Sequence, residues 1–113
     1  MVATITSLRL KSLWGFFKLS WLALKITRQA KTERGFIAMK NTGFGYLHYT
    51  ATLWQLEEDL KRFAKSGAHA IAMKQSSALS TEICTYTFPT QDLPDWKEAK
   101  QLLGQHGRLL KMK

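Results

Sequence analysis

Cysteine, acidic side chains and unbroken hydrophobic runs are all scarce in this chain, and each shortage closes off a class of explanation. Cys84 is the only cysteine, so no intrachain disulfide and no cysteine zinc cluster can form. Its strand-like flanks mark it as a buried structural thiol, and a reducing cytoplasm suits the composition. The segment nearest to a hydrophobic run, Leu13 to Ile26, is broken by Lys18 and Lys25. It also falls short of the roughly 20 residues that a bilayer crossing needs. A strand-like stretch precedes it where an export signal would carry basic residues, so neither an export signal nor a membrane span is expected.

Acidic residues number 8 against 17 lysines and arginines, for a net charge of +9. That balance raises a nucleic-acid reading. The basic residues, however, are scattered from Arg9 to Lys113 without a run longer than two, and no nucleic-acid motif accompanies them. Solvated basic faces are therefore expected and a nucleic-acid partner is not, while a weak attraction to anionic ligands or membrane surfaces stays open. No internal repeat or low-complexity tract divides the chain. At 113 residues, with 45% hydrophobic and 22% charged side chains, it reads as one globular domain over residues 1–113. Four Trp, six Phe and three Tyr are generous for that length and predict an interface or pocket in addition to a core.

Val2 to Leu10 alternates and is rich in β-branched residues, which predicts a strand. Ser12 offers an N-cap for a helix to about Ala30, with Leu13, Phe16, Phe17, Leu24 and Ile26 at helical spacing. Lys18, Lys25 and Arg28 fall toward solvent, and Trp14 and Trp21, seven apart, share one face. Phe36 to Thr42 and Tyr46 to Trp54 read as strands joined by a Gly43-Phe44-Gly45 turn. Glu57, Glu58 and Asp59 open a second helix with the charge its N-terminus favours, and Lys61, Arg62 and Lys65 close it before Gly67. Ala68 to about Leu79 continues in helical pattern. Thr81 to Phe88 is a fourth strand stopped by Pro89. Asp95 and Glu98 form a capping box for a short helix through Leu103, ended by Gly104 and Gly107, and Arg108 to Met112 can add a last strand.

The order is β-α-β-β-α-β with an added C-terminal helix, which is the split βαβ signature of a ferredoxin-like α+β fold. Such a sheet carries helices on one face only. The opposite face is apolar here as well, so a second copy should cover it and the chain is expected to form a homodimer.

Chemistry-bearing residues are few. His48 alternates with Tyr46 and Thr50, so these share one face of the third strand, and Leu47, Tyr49 and Ala51 take the other. Depending on register, His48 or Tyr49 faces a pocket and can relay a proton during oxidation of an electron-rich ring; otherwise each is a satisfied core or interface side chain. Asn41 and Arg9 are polar residues in strand-like stretches, able to orient a ligand carbonyl or to satisfy backbone groups near a turn. Gly43-Phe44-Gly45 lacks the third glycine and following helix of a dinucleotide loop. No clustered carboxylates or His pairs mark a metal site, and no Gly-x-Ser-x-Gly nucleophile motif occurs.

The run Trp54-Gln55-Leu56-Glu57-Glu58-Asp59-Leu60-Lys61-Arg62-Phe63, followed by Ser66-Gly67-Ala68-His69, resembles a pattern of the antibiotic biosynthesis monooxygenase superfamily, the dimeric α/β barrels. Shared features are a strand-ending Trp, an acidic helix start, an aromatic, and then a Ser and a His. Gly35-Phe36 resembles the family's approach to its second strand. Trp14-Gly15-Phe16 and Asn41-Thr42-Gly43 are most similar to the spheroidene-monooxygenase-like branch. The resemblance covers roughly residues 2 to 90.

It implies a dimer with a pocket in each subunit between the sheet and its helices, and an oxygenase that is either cofactor-independent or haem-dependent. His69 would then face the pocket as haem ligand or as acid and base; its plain alternative is a partly exposed His near a helix start. Trp54, Trp21, Phe17 and Met73 would supply an apolar lining for a hydrophobic substrate, polycyclic or isoprenoid, or else be ordinary core. The haem-degrading branch uses an Asn near the first strand and a Trp ahead of its His. The first strand here has no Asn, and Phe63 occupies the place of that Trp, one helical stretch before the His, so haem degradation is disfavoured. Leu56 stands where the family often has a Ser cap, which weakens that helix start. The competing expectation is a non-catalytic dimer that binds a small apolar ligand or serves as a structural partner.

Overall fold

Period-two alternation in the first ten residues carries directly into structure. The computed structural model describes residues 1–65, 74–75 and 78–112. Its elements are β1 (Val2–Leu10), α1 (Gly15–Thr32), β2 (Phe36–Phe44), β3 (Leu47–Trp54), α2 (Glu57–Ala64), β4 (Ser80–Pro89), α3 (Trp96–His106) and β5 (Arg108–Met112). Along β1, Ala3, Ile5 and Ser7 are buried on one face and Thr4, Thr6 and Leu8 half-buried on the other. The strands form one sheet in the order β2-β3-β1-β4-β5. Every pairing is antiparallel. The first four strands follow the ferredoxin-like order, with β5 added beyond β4.

Local chemistry sets most boundaries. Asp95 caps α3 as its spacing predicts, its carboxylate accepting the Glu98 N–H at 2.8 Å. The first turn of α2 holds Glu57, Glu58 and Asp59 and its last turn Lys61 and Arg62, so both ends match the helix dipole. Leu56 at its N-cap supplies no side-chain bond. The Gly67 stop lies outside the described residues. So does the following helical stretch, apart from residues 74–75 and 78–79, which are helical.

Three expectations shift. Ser12 does not cap α1: its carbonyl accepts the Gly15 N–H at 3.2 Å in an open turn, and the helix starts behind Trp14 without a side-chain cap. The β2–β3 turn is not Gly43-Phe44-Gly45. Phe44 pairs with Leu47 across a two-residue loop, in which Gly45 has a φ of +64°. Gly43 stays in the strand, paired with His48, and its lack of a Cβ leaves room for the His48 ring. Finally, α3 does not stop at Gly104, whose missing Cβ would meet nothing, and continues to Gly107.

The sheet is covered on both faces. Ile5 and Ala51 pack against Ala99 and Leu103 of α3, with Tyr49, Trp96 and Tyr86 around them. On the other face Ala30 of α1, Trp54 and Phe63 of α2 form a second cluster with Val2, Ile26, Phe36 and Leu60. The apolar face expected to need a second copy is thus covered in part by the chain's own α3. Among the described residues no helix is long and apolar enough to cross a membrane.

Candidate functional site

Threonine decides the character of the sheet face beneath α1. Register places Asn41, Thr50, Thr6 and Thr85 side by side across β2, β3, β1 and β4. The next row is Met39, Thr52, Thr4 and Thr87. A third row brings Gly43, His48, Leu8 and Ile83 together. β-Branching suits threonine to strands, but its hydroxyl does not close-pack against an apolar helix as valine would. Two hydroxyl pairs bond across the strands: Thr4 Oγ1 with Thr87 Oγ1 at 2.8 Å, and Thr6 Oγ1 with Thr85 Oγ1 at 3.2 Å. Thr85 Oγ1 also donates to the Ile5 carbonyl.

Above this floor lies a cavity of about 550 Å³. Thr6, Thr50, Asn41, Leu8 and His48 line its sheet side, and Phe16, Leu19, Leu22, Ala23 and Ile26 of α1 line its helix side. A recess of about 370 Å³ shares Thr6, Thr50, Met39 and Ile26 with it. That recess runs under Leu60 and Phe63 of α2 over Thr4, Thr52 and Thr87. The enclosure is therefore hydroxyl-rich on one wall and apolar on the other, and its size suits a small organic ligand.

His48 is held from two sides. Its Nε2 lies 2.9 Å from the Gly45 carbonyl oxygen, and its ring is 5.5 Å from Phe16. A carbonyl can only accept, so Nε2 donates to Gly45, and Nδ1 lies over Gly43. The glycine in β2 thereby leaves room for the imidazole at the cavity wall.

The sequence-predicted site residues separate. His48 and Asn41 meet at the cavity. Tyr49 points to the opposite face, 6.3 Å from the Trp96 ring and with Lys100 Nζ 5.0 Å over its own ring. Register puts the His48 side chain on the α1 face of the sheet and the Tyr49 side chain on the α3 face. Arg9 also lies on that opposite face, exposed and directly across from Glu82. Trp54 is fully buried core, its ring 5.1 Å from Phe63 and 5.7 Å from Phe36, and not a ligand-facing wall. Its Nε1 has no hydrogen-bond partner among the described residues. Phe17 and Trp21 are 68% and 58% exposed on the outer side of α1, because the helix turns Phe16, Leu19, Ala23 and Ile26 inward instead. His69 and Met73 lie outside the described residues.

The threonines, Met39 and Leu19 carry the cavity, and sequence reasoning passes over them. The signal is present: Thr-x-Thr stands at Thr4/Thr6, Thr50/Thr52 and Thr85/Thr87, and period two puts each pair on one face. Cys84 faces the α3 side, where burial and then the Glu82 charge push its thiol above the ordinary range, against a smaller lowering by the Thr85 backbone N–H. It stays a neutral thiol at physiological pH, as a structural cysteine does.

No group of His, Cys, Asp and Glu among the described residues could hold a metal ion. The haem ligand that the resemblance implies, His69, lies outside the described residues, and the one imidazole of the described lining, His48, bonds through Nε2 to the Gly45 carbonyl.

Sequence comparison finds no matching family profile and no matching curated protein. Solved structures do match. SnoaB, a cofactor-independent oxygenase from Streptomyces nogalater, superposes with a TM-score of 0.70 at 10% identity over 83% of this chain and 96% of that one. A candidate antibiotic biosynthesis monooxygenase from Deinococcus radiodurans gives a TM-score of 0.74 at 13% identity, covering 84% and 97%. Another from Nitrosomonas europaea gives 0.72 at 8% identity, covering 79% and 88%. Identities this low establish architecture, and the chain has the fold of the antibiotic biosynthesis monooxygenase-like proteins.

Proposed function

We propose that this protein is a small monooxygenase-like enzyme that takes a hydrophobic polycyclic or isoprenoid compound into the cavity between α1 and the threonine face. The observation that carries this reading is the cavity itself, about 550 Å³ with hydroxyls on one wall and apolar side chains on the other. A flat substrate would lay its ring against Phe16, Leu19 and Ile26 while an oxygen substituent meets Thr50, Thr6 or Asn41. His48 would take the substrate's proton through Nδ1, the ring nitrogen that Gly45 does not hold; the deprotonated ring would then reduce O₂, one oxygen atom staying on the ring as a carbonyl and the other leaving as water. The likeness of the fold to a cofactor-independent oxygenase supports a reaction without a bound cofactor. The role read for His69 rests on the sequence resemblance alone.

Oxygen uptake with a panel of electron-rich phenols and hydroquinones tests the proposal. Wild type should consume O₂ with at least one of them, and His48→Ala should lower kcat by about 10²-fold or more with KM little changed, as expected for loss of a general base. Equal turnover by the variant would remove His48 from the chemistry.

One feature favours the non-catalytic reading. The Nε2 bond to Gly45 fastens the β2–β3 turn, a structural task sufficient by itself to account for His48. A pure binding module would take up apolar rings, consume no O₂, and keep its affinity in His48→Ala.

A homodimer belongs to the same proposal. Edge strands β2 and β5 carry exposed Ile37 and Leu109, 40% and 48% accessible, which a second copy could cover. Light scattering at micromolar concentration should give twice the chain mass; a stable monomer would refute the dimer.

A further inference from the structure

The outer side of α1 is the least expected surface of the molecule. Trp14, Phe17 and Trp21 are 82%, 68% and 58% exposed, and their spacing of three and four residues aligns them along the helix, with Leu24, 45% exposed, between this stripe and the cavity that it also lines. Leu13, 53% exposed, extends the stripe at its N-terminal end. Trp14 and Phe17 lie with ring centroids 6.4 Å apart. Exposed Lys11, Lys18, Lys25 and Arg28 accompany the stripe, and Lys25 Nζ sits 5.1 Å over the Trp21 ring. No acidic residue precedes Glu33. Soluble proteins rarely leave contiguous aromatic surface of this kind without a partner.

We propose that this face of α1 docks on anionic lipid bilayers, lying in the headgroup region without crossing it. Charge selects among occupants. A second copy seated on the stripe would set Lys18, Lys25 and Arg28 against their own equivalents with no acidic side chain to offset them. Shape selects as well. The stripe is the crest of a surface helix and not a groove, which suits insertion of indole and phenyl rings at headgroup level. Lysines with long apolar stems beside those rings can reach lipid phosphates as the rings sink. The inner side of the same helix roofs the cavity through Phe16, Leu19, Ala23 and Ile26, so docking would place the cavity one helix diameter from the acyl chains. The docking does not depend on the cavity being catalytic.

The test is sedimentation of the full chain with phosphatidylcholine vesicles prepared with and without phosphatidylserine, read together with tryptophan emission. The serine-containing vesicles should be bound, with emission moving to the blue and binding weakening as NaCl rises. Trp14→Ser/Trp21→Ser and, separately, Lys18→Glu/Lys25→Glu should each weaken binding by about tenfold or more. Because all four side chains are exposed, their melting temperatures should match wild type, which separates lost docking from lost folding. Three results would each overturn the proposal. They are no association with either vesicle, unchanged binding by both variants, and capture by soluble poly-glutamate with no vesicle binding. Loss of dimer mass in the tryptophan variant would instead identify a second copy as the occupant.

Discussion

Gly35→Ala should cost about 4 kcal/mol or more, a large share of the roughly 5–15 kcal/mol that stabilises a domain of this kind. Gly35 has a φ of +86°, a conformation that costs a residue with a Cβ about 1–2 kcal/mol. Steric overlap costs more. A Cβ there would stand 2.0 Å from Oδ2 of Asp59, a carboxylate 4% exposed and bonded at 3.0 Å to Arg62. Alanine must displace the α2 start or pull a buried charge from its partner, and uncompensated buried charges are among the costliest defects. Arg62 is half exposed, so water screens part of that loss. The Gly35 carbonyl also accepts the Gln55 N–H at 2.8 Å, so movement would loosen the end of β3. Urea unfolding measures the change. A loss no larger than the φ penalty alone would show that α2 yields without cost.

Trp54→Ala should be comparably damaging, at about 3–5 kcal/mol, because a fully buried indole is replaced by a cavity between α1, α2 and the sheet. Trp54→Phe should cost far less, within about 1.5 kcal/mol of wild type. The indole N–H is buried without a partner among the described residues, so removing it relieves a desolvation penalty of about 1–3 kcal/mol while the ring contacts with Phe63 and Phe36 largely persist. Thermal melts of the two variants discriminate. If phenylalanine were as harmful as alanine, the N–H would have a partner that this packing does not provide.

Features set by neighbours in sequence are legible without the structure. The alternation of β1, the charged ends of α2 and the Asp95 cap each depend on residues within one turn or one strand, and each stands in the fold as its pattern predicts. Features set by distant packing are not legible in this way. Residues 13–26 are apolar almost all round, so periodicity does not say whether Phe16 or Phe17 faces inward. The sheet settles it, and Phe17 and Trp21 turn outward. The second covering layer depends on α3 crossing back over the sheet, which no local pattern encodes. Threonine in strands reads first as a strand former. Only the register that aligns Thr50 with Thr6 and Thr85 turns those residues into one wall of a cavity. The choice between His48 and Tyr49 is open in the sequence for the same reason, since a shift of one residue would exchange them.

Methyl NMR of threonine- and alanine-labelled protein during titration with 2-naphthol tests most directly whether the threonine-floored cavity is the ligand site. The methyls of Thr6, Thr50 and Thr52 should shift together and saturate, while those of Ala51 and Ala99, on the α3 side of the sheet, should stay still. Shifts on the α3 side with silent threonines would contradict the site and move any ligand chemistry to the Tyr49 face.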